Sequence, residues 1–418
     1  FNGVEGNQGP YQLVDESGKK GITVIAGSEK VWVNGVIQTR GETKDYIIDY
    51  NSGEITFTLN QIISNYSRIT IDYDYSRDDY QSSLYYADGY SVNTGRFSIG
   101  AGAYYSADQK EKPIGFDFSD EDIKKLELLG DNTDSAFIST VKEDTLGDYI
   151  LTDSADYYQW IGDSLGDFTI NFNRVENGSY VYQDSYYVWV GEGLGTHAPF
   201  QKVSLPQSHS VLSVNIASDT SLSYVVKAEL ATSSFDKNTL SNKNDDDNIG
   251  TVGAMILKTP GYTNKLGRFH VEYDFFQSDR YFKSPERYNS AEFDRNWGFV
   301  SNKSGVGIST HNITFNGNKN KYYSLKFGGG VRKDTDDDES KRLSADLKIE
   351  KDNSIFDIVS RNTAMQSNSL QSNTSNNRIS FRTKIWRLSP EVILEKENNE
   401  HENADSSYGD IFDDINIS

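Results

Sequence analysis

The chain of 418 residues has no cysteine, only seven prolines and only two methionines. The lack of cysteine excludes a disulfide framework, thiol catalysis and cysteine-ligated zinc. No run of 18 apolar residues occurs, so the sequence encodes no transmembrane helix. A net charge of −21 repels a phosphate backbone, and we therefore expect no nucleic-acid partner.

Catalytic signatures are also scarce. The five histidines never stand at the His-x-x-x-His spacing of a zinc site; they are His197, His209, His270, His311 and His401. Gly191-x-Gly193-x-Gly195 follows a predicted strand but opens no helix, so it is not a dinucleotide fingerprint. We therefore predict a protein that is not an enzyme and that needs no organic cofactor.

Aromatic residues are abundant, with 27 tyrosines and 21 phenylalanines. These residue types favour strands and interfaces. The mean hydropathy is nevertheless −0.64, which indicates extensive solvated loops or wet surface. The composition therefore predicts β-structure with a large polar surface.

One stretch of the chain repeats itself. Tyr158-Gln-Trp160-Ile-Gly162 returns 29 residues later as Tyr187-Val-Trp189-Val-Gly191, and a Leu-Gly pair closes both copies. Aromatics two apart lie on one face of a strand, and the glycines permit a turn. Each copy is predicted to be a β-hairpin with an aromatic face. Four aromatics either pack between two stacked hairpins or form a platform for a sugar or peptide: Tyr158, Trp160, Tyr187 and Trp189.

Composition and hydrophobic periodicity divide the chain into four predicted units. Residues 1–80 form a β-module of hairpins, which includes the turn Asn34-Gly35. Residues 81–115 alternate as strands. Residues 116–206 hold the repeated module and one short helix that Ser119 caps. Residues 207–418 form long antiparallel strands separated by acidic or asparagine-rich loops.

Several short motifs resemble those of a known group. They are Gly27-Ser-Glu-x-Val31, Arg40-Gly41, Asp45-Tyr-x-Ile-Asp-Tyr50, Tyr187-x-Trp-x-Gly191 and Glu292-Phe-Asp-Arg-Asn-Trp297. They resemble segments of large, mostly uncharacterised bacterial outer-membrane and surface β-proteins, over roughly residues 9–300. The Asp-Tyr-x-Ile-Asp-Tyr element is also similar, more loosely, to the giant translocon barrel of gliding and type 9 secretion. The resemblance implies an outer-membrane β-barrel with periplasmic or lumenal insertions and carries over no catalytic residue.

The strands after residue 206 alternate between apolar and polar residues over about ten positions, as in Leu222–Leu230. This pattern is typical of a transmembrane barrel, and equally of an antiparallel sandwich in water. With the resemblance added, the expected fold is all-β and antiparallel. It is a partial outer-membrane-type barrel with inserted small β-modules and one short helix. In such a barrel, alternate residues from Leu222 to Leu230 face lipid.

Two acidic runs suggest calcium, which prefers several carboxylate oxygens. The runs are Asp245, Asp246, Asp247 and Asp336, Asp337, Asp338. Neither follows the EF-hand spacing, so both are equally interpretable as solvated loop tips.

The functional prediction is a non-enzymatic protein of the bacterial outer membrane or cell envelope with a structural, transport or surface-display role. Its expected partners are outer-membrane lipid and other envelope proteins or glycans. The alternative is a secreted protein that binds or cleaves glycans on the aromatic repeat. Because the chain starts at Phe1 and its last residues resemble an interrupted strand, we expect a processed product or a piece of a longer protein.

Overall fold

A computed structural model describes residues 1–15, 18, 20–76, 79–91, 95–152, 156–219, 222–299, 305–319, 322–367, 370–384, 389–403 and 407–417. The fold is all-β, every paired strand is antiparallel to its neighbour, and one α-helix is present in this described part. Both features confirm the coarse prediction. Among the described residues, no helix is both long and apolar enough to cross a membrane.

The N-terminal module consists of two three-stranded sheets that share one core. Its strands are β1 (Tyr11–Gln12), β2 (Lys30–Val33), β3 (Val36–Ile37), β4 (Tyr46–Asp49), β5 (Glu54–Phe57) and β6 (Ile69–Asp72). The sheet orders are β1-β5-β4 and β3-β2-β6. The core includes the fully buried Leu13, Val31 and Ile55. The predicted Asn34-Gly35 turn is confirmed, because both residues have positive φ and join β2 to β3.

The next hairpin, β7 (Tyr80–Ser91) and β8 (Phe97–Pro113), leads to the helix α1 (Asp120–Leu128). The predicted cap is present: the Ser119 hydroxyl accepts a hydrogen bond from the amide of Asp122, and the Asp122 carboxylate accepts one from Ser119. Leu126 of α1 is buried against Ile138 and Leu205. The helix therefore covers the base of the repeated module.

The repeated module has two four-stranded sheets of the same order. Its strands are β9 (Phe137–Ser139), β10 (Val141–Gly147), β11 (Tyr149–Leu151), β12 (Tyr158–Trp160), β13 (Gly166–Ile170), β14 (Asn173–Gly178), β15 (Tyr180–Gln183), β16 (Tyr186–Trp189), β17 (Gly195–Ala198) and β18 (Phe200–Lys202). The first copy has the order β10-β13-β11-β12 and the second has β14-β17-β15-β16. β9 pairs with β18 at the base. The two copies of the sequence repeat therefore have the same strand topology.

The remaining strands form one large sheet with β7 and β8. They are β19 (Ser208–Ser218), β20 (Val225–Asp236), β21 (Ile249–Lys258), β22 (Tyr262–Asn264), β23 (Gly267–Ser278), β24 (Ile308–Lys319), β25 (Tyr323–Asp334), β26 (Glu339–Lys351), β27 (Ser354–Gln366), β28 (Leu370–Thr383), β29 (Glu391–Asn403) and β30 (Ser407–Ile417). Each long strand pairs with the next along the chain, and the short β22 pairs only with β23. In the described residues β7 and β30 remain the two edges, so the sheet does not close into a barrel there.

The large sheet has an apolar face and a polar face, because alternate residues of a strand point to opposite sides. Cross-strand register places one set of exposed side chains together on the apolar face: Tyr85, Tyr105, Leu212, Val214, Leu230, Ile313, Phe327, Leu343, Ile349, Ile379, Phe381 and Leu394. The polar face carries the intervening residues, among them Asn215, Glu229, Asp274, Asn312, Arg342, Asp346, Arg378 and Glu395.

Candidate functional site

The four predicted platform aromatics lie at the contact between the two repeats. Trp160 stacks on Tyr186 of the second copy, with ring centroids 4.2 Å apart. Trp189 stacks on Tyr157 of the first copy at 4.5 Å. Tyr158 and Tyr187 pack against the same core as Tyr149, Phe172 and Tyr180. One face of each tryptophan is therefore occupied by a tyrosine of the other repeat, and the rings hold the two copies together.

Hydrogen bonds cross between the copies in the same symmetric way. The Tyr180 hydroxyl accepts a hydrogen bond from the backbone amide of Tyr158 at 2.8 Å, and the Tyr149 hydroxyl accepts one from the amide of Tyr187 at 3.0 Å. Burial raises the pKa of Tyr180 to about 12 and also raises the pKa of Tyr149. Both phenols therefore stay protonated and neutral at physiological pH.

Glycine is required where strands cross within each copy. A Cβ on Gly166 would lie 2.4 Å from the backbone of Tyr149, and a Cβ on Gly195 would lie 2.4 Å from the backbone of Tyr180. Only glycine permits so close an approach of two backbones. The glycines that define the sequence repeat thus place the two tyrosines that bridge the copies.

The first copy also contains Gly162-Asp-Ser164-Leu-Gly166, which matches the Gly-x-Ser-x-Gly pattern of a hydrolase nucleophile elbow. An elbow lies between a strand and a helix, whereas this segment joins the strands β12 and β13. The amide of Ser164 donates to Asp148 at 2.9 Å, and the second copy has Gly193 at this position. Ser164 is therefore a turn residue in this fold.

Residues 279–299, the inward segment, lie on the polar face of the large sheet and contain a 3-10 helix (Arg295–Trp297). Trp297 is 1% exposed. Its carbonyl accepts a hydrogen bond from the Ser340 hydroxyl at 2.6 Å, and the guanidinium of Arg342 lies 4.3 Å from its ring centroid. Arg295 forms ion pairs with Glu292 and with Glu397 of β29. The segment therefore contacts several strands of the polar face.

A buried ion pair anchors the same segment. Arg332 of β25 is fully buried and donates to Asp294 at 2.6 Å. Its guanidinium lies 5.0 Å from the ring centroid of Phe293 and 4.1 Å from that of Phe299. Its Nε and Nη2 atoms have no hydrogen-bond partner among the described residues. The aromatic rings take the place of water around a charge that, in the described part of the chain, has a single carboxylate partner.

The inward segment also connects the large sheet to the N-terminal module. Arg287 forms a bidentate pair with Asp72, with both contacts at 2.6 Å. Arg68 lies 3.3 Å from Glu292, and the more exposed Lys30 lies 3.2 Å from Glu286. The acidic Glu292 belongs to the motif that carries the sequence resemblance, and here it joins two modules.

Other motif residues of the resemblance meet inside the N-terminal module. The Glu29 carboxylate, almost fully buried, pairs with Arg40 at 3.0 Å and accepts hydrogen bonds from the hydroxyls of Tyr46 and Tyr50. Burial raises the pKa of both tyrosines. The amide of Gly27 also donates to Glu29. These residues form a structural cluster that fixes the loop between β3 and β4.

The two acidic runs lie in separate loops. Asp245–Asp247 form an exposed 3-10 turn before β21. Asp336, Asp337 and Asp338 form the turn between β25 and β26, where Asp334 accepts hydrogen bonds from the amides of Asp336 and Asp338. Within the described ranges, no group of three or more histidine, aspartate or glutamate residues is arranged to hold a metal ion. Calcium binding stays a prediction from the sequence.

The N-terminal module matches a protein-family model. Residues 1–77 match the model of a domain of unknown function (DUF8818). No curated protein matches the chain. The family match covers β1 to β6 and the Glu29 cluster, and it assigns no activity to them.

Proposed function

We propose that the large sheet is part of the wall of an outer-membrane β-barrel in a non-enzymatic protein of the bacterial cell envelope. In this proposal the apolar face contacts lipid hydrocarbon and the polar face lines the water-filled lumen of the barrel. The inward segment (residues 279–299) lies in that lumen and positions the N-terminal module at one end of the barrel. The role is structural, or in transport or display of material at the outer membrane.

The exposed apolar face carries this proposal. Leu212 is 59% exposed and Leu230 69% on the adjacent strands β19 and β20, and Leu343 is 67% exposed on β26, which lies far from them in the sheet. Soluble monomers rarely expose an apolar patch larger than a few hundred Å². Apolar residues on one face and polar residues on the other are typical of membrane barrels. Lipid hydrocarbon is therefore the occupant that this surface fits.

Strand length and order agree with the same placement. The consecutive strands β24 to β28 have 12 to 14 residues each. A tilted strand of about 9–11 residues spans a bilayer. Of the alternate residues predicted to face lipid, Val226, Ala228 and Leu230 share the apolar face, while Leu222 and Tyr224 precede β20. Antiparallel neighbours in chain order are the arrangement of membrane barrels.

Fractionation of cells that express the whole protein tests the proposal, together with heat-dependent migration on a gel. Recovery in the outer-membrane fraction with a heat shift is expected. Leu343→Arg on the apolar face should block assembly, since arginine there costs about 2–4 kcal/mol near the bilayer midplane. The neighbouring Ser344→Arg, on the polar face, is the matched control and should assemble. Recovery of the parent protein in the soluble fraction would overturn the proposal.

A further inference from the structure

A cavity of about 590 Å³ lies between the polar face and residues 282–288 of the inward segment. Small-molecule sites have volumes of about 300–1,000 Å³. Its floor consists of small residues on neighbouring strands, including Gly102, Ser213 and Ala231. Large side chains there would fill the space that the inward segment leaves open.

The walls of this cavity are aromatic. Tyr86 and Tyr104 stand on β7 and β8, and Phe276, Phe282 and Tyr288 stand on the other side. The rings of Phe276 and Tyr288 stack at 5.3 Å, and those of Phe282 and Tyr288 are 6.2 Å apart. Aromatic walls favour a ligand with an apolar body or a cationic group.

The charged side chains that line the described walls of the cavity are all acidic. Asp88 and Glu229 are the charged residues of its described walls, and no lysine, arginine or histidine lines it there. Neither carboxylate forms a salt bridge within the described residues; Asp88 accepts a hydrogen bond from the Tyr86 hydroxyl at 3.2 Å. The two carboxylates stand on β7 and β20, with β8 and β19 between them. Three interstrand spacings correspond to about 14 Å across the strands, and Glu229 lies a further two residues along β20 from Ala231, the residue in register with Asp88.

We propose that this cavity binds a linear organic polycation of the polyamine class. Its terminal ammonium groups pair with Asp88 and Glu229, and its methylene chain lies against the rings of Tyr104 and Tyr288. Two separated carboxylates suit an extended polyamine better than a metal ion, whose ligands must converge on one point. The site does not depend on where the sheet resides, so it goes beyond the envelope role proposed above.

Calorimetric titration of the purified full chain with spermidine tests the proposal, with the shorter putrescine as a length control. Spermidine should bind more tightly, because it reaches further between the carboxylates. Asp88→Asn and Glu229→Gln should each weaken spermidine binding by about tenfold. Tyr288→Leu should also weaken it, although it leaves the charge unchanged.

The chain has a net charge of −21, so nonspecific attraction of polyamines needs a matched control. Asp184→Asn, in the β15–β16 turn outside the cavity, makes the same change in charge and should leave spermidine affinity unchanged. Equal weakening by Asp184→Asn and Glu229→Gln would overturn the proposal, as would equal affinity for spermidine and putrescine. If Glu229→Gln does not fold, unchanged binding in Tyr288→Leu overturns it instead.

Discussion

The hydroxyl of Tyr180 accepts a hydrogen bond from the backbone amide of Tyr158, which belongs to the other copy of the repeat. Tyr149 and Tyr187 repeat the relationship in the opposite direction. Each copy thus supplies a phenol to a strand of its neighbour. The two copies form one core, and a single copy would leave the rings of Trp160 and Trp189 without their tyrosine partners.

Tyr180→Phe tests this exchange. The substitution keeps the ring in the core but removes the acceptor for the Tyr158 amide, so the free energy of unfolding should fall by about 1–2 kcal/mol. Urea denaturation measures the change. Tyr182→Phe, at an exposed position on the same strand, is the control and should stay within about 0.5 kcal/mol of the parent. An equal effect of both substitutions would contradict the role given to Tyr180.

Because of the same phenols, the stability of the folded chain should fall as the pH rises in the alkaline range. The pKa of Tyr180 is raised to about 12 in the folded chain, against about 10 for an unfolded tyrosine. Because the folded state holds its proton more tightly, this contribution is complete below about pH 10 and is lost as pH rises from there towards 12. Urea midpoints measured from pH 8 to 12 should fall above pH 10. The urea midpoint of Tyr180→Phe should fall less over the same pH range. Identical pH profiles for the variant and the parent would contradict the contribution assigned to the Tyr180 phenol.

The crossing glycines should resist substitution. Gly195→Ala places a Cβ 2.4 Å from the backbone of Tyr180 and should destabilise the chain by about 1–3 kcal/mol. Gly89→Ala on β7 has no atom within 4 Å of its new Cβ and should be neutral or slightly stabilising. Thermal unfolding of both variants measures the difference. Similar melting temperatures for the two would show that the strands do not approach as closely as described.

The inward segment should depend on the pair of Asp294 and Arg332. Asp294→Asn leaves the fully buried guanidinium of Arg332 without its carboxylate, a loss that costs about 3–5 kcal/mol. Faster amide hydrogen exchange in residues 279–299 is the expected readout. Glu286→Gln breaks the exposed pair with Lys30 and should change exchange little. Unaltered exchange in Asp294→Asn would mean that this pair does not hold the segment.

Local signals predicted much of this fold. The Asn34-Gly35 turn and the Ser119 cap are both confirmed, because each depends on a few neighbouring residues. Alternation along the strands also predicted which residues share a face, as at Val226, Ala228 and Leu230. Which strands pair, and whether the sheet closes on itself, are not local properties. Strand periodicity therefore could not decide between a barrel and a sandwich.

The sequence left open whether the aromatic faces of the two copies pack on each other or bind a ligand. Periodicity shows that Tyr158 and Trp160 share a side of their strand, but it does not show that Tyr186 lies against that side. The inward segment was harder still, because residues 279–299 have no strand or helix period. Its one signal was the motif Glu292–Trp297, whose residues now contact both Arg68 and the polar face.

In the proposed barrel the apolar face of the large sheet contacts lipid and the polar face contacts water. The native chain has no cysteine, so single cysteines can be introduced and labelled with a nitroxide at each position from 343 to 347 in a bilayer. Oxygen dissolved in lipid should reach the labels at 343, 345 and 347, while a water-soluble nickel chelate should reach those at 344 and 346. Equal access of the chelate to all five positions would contradict it.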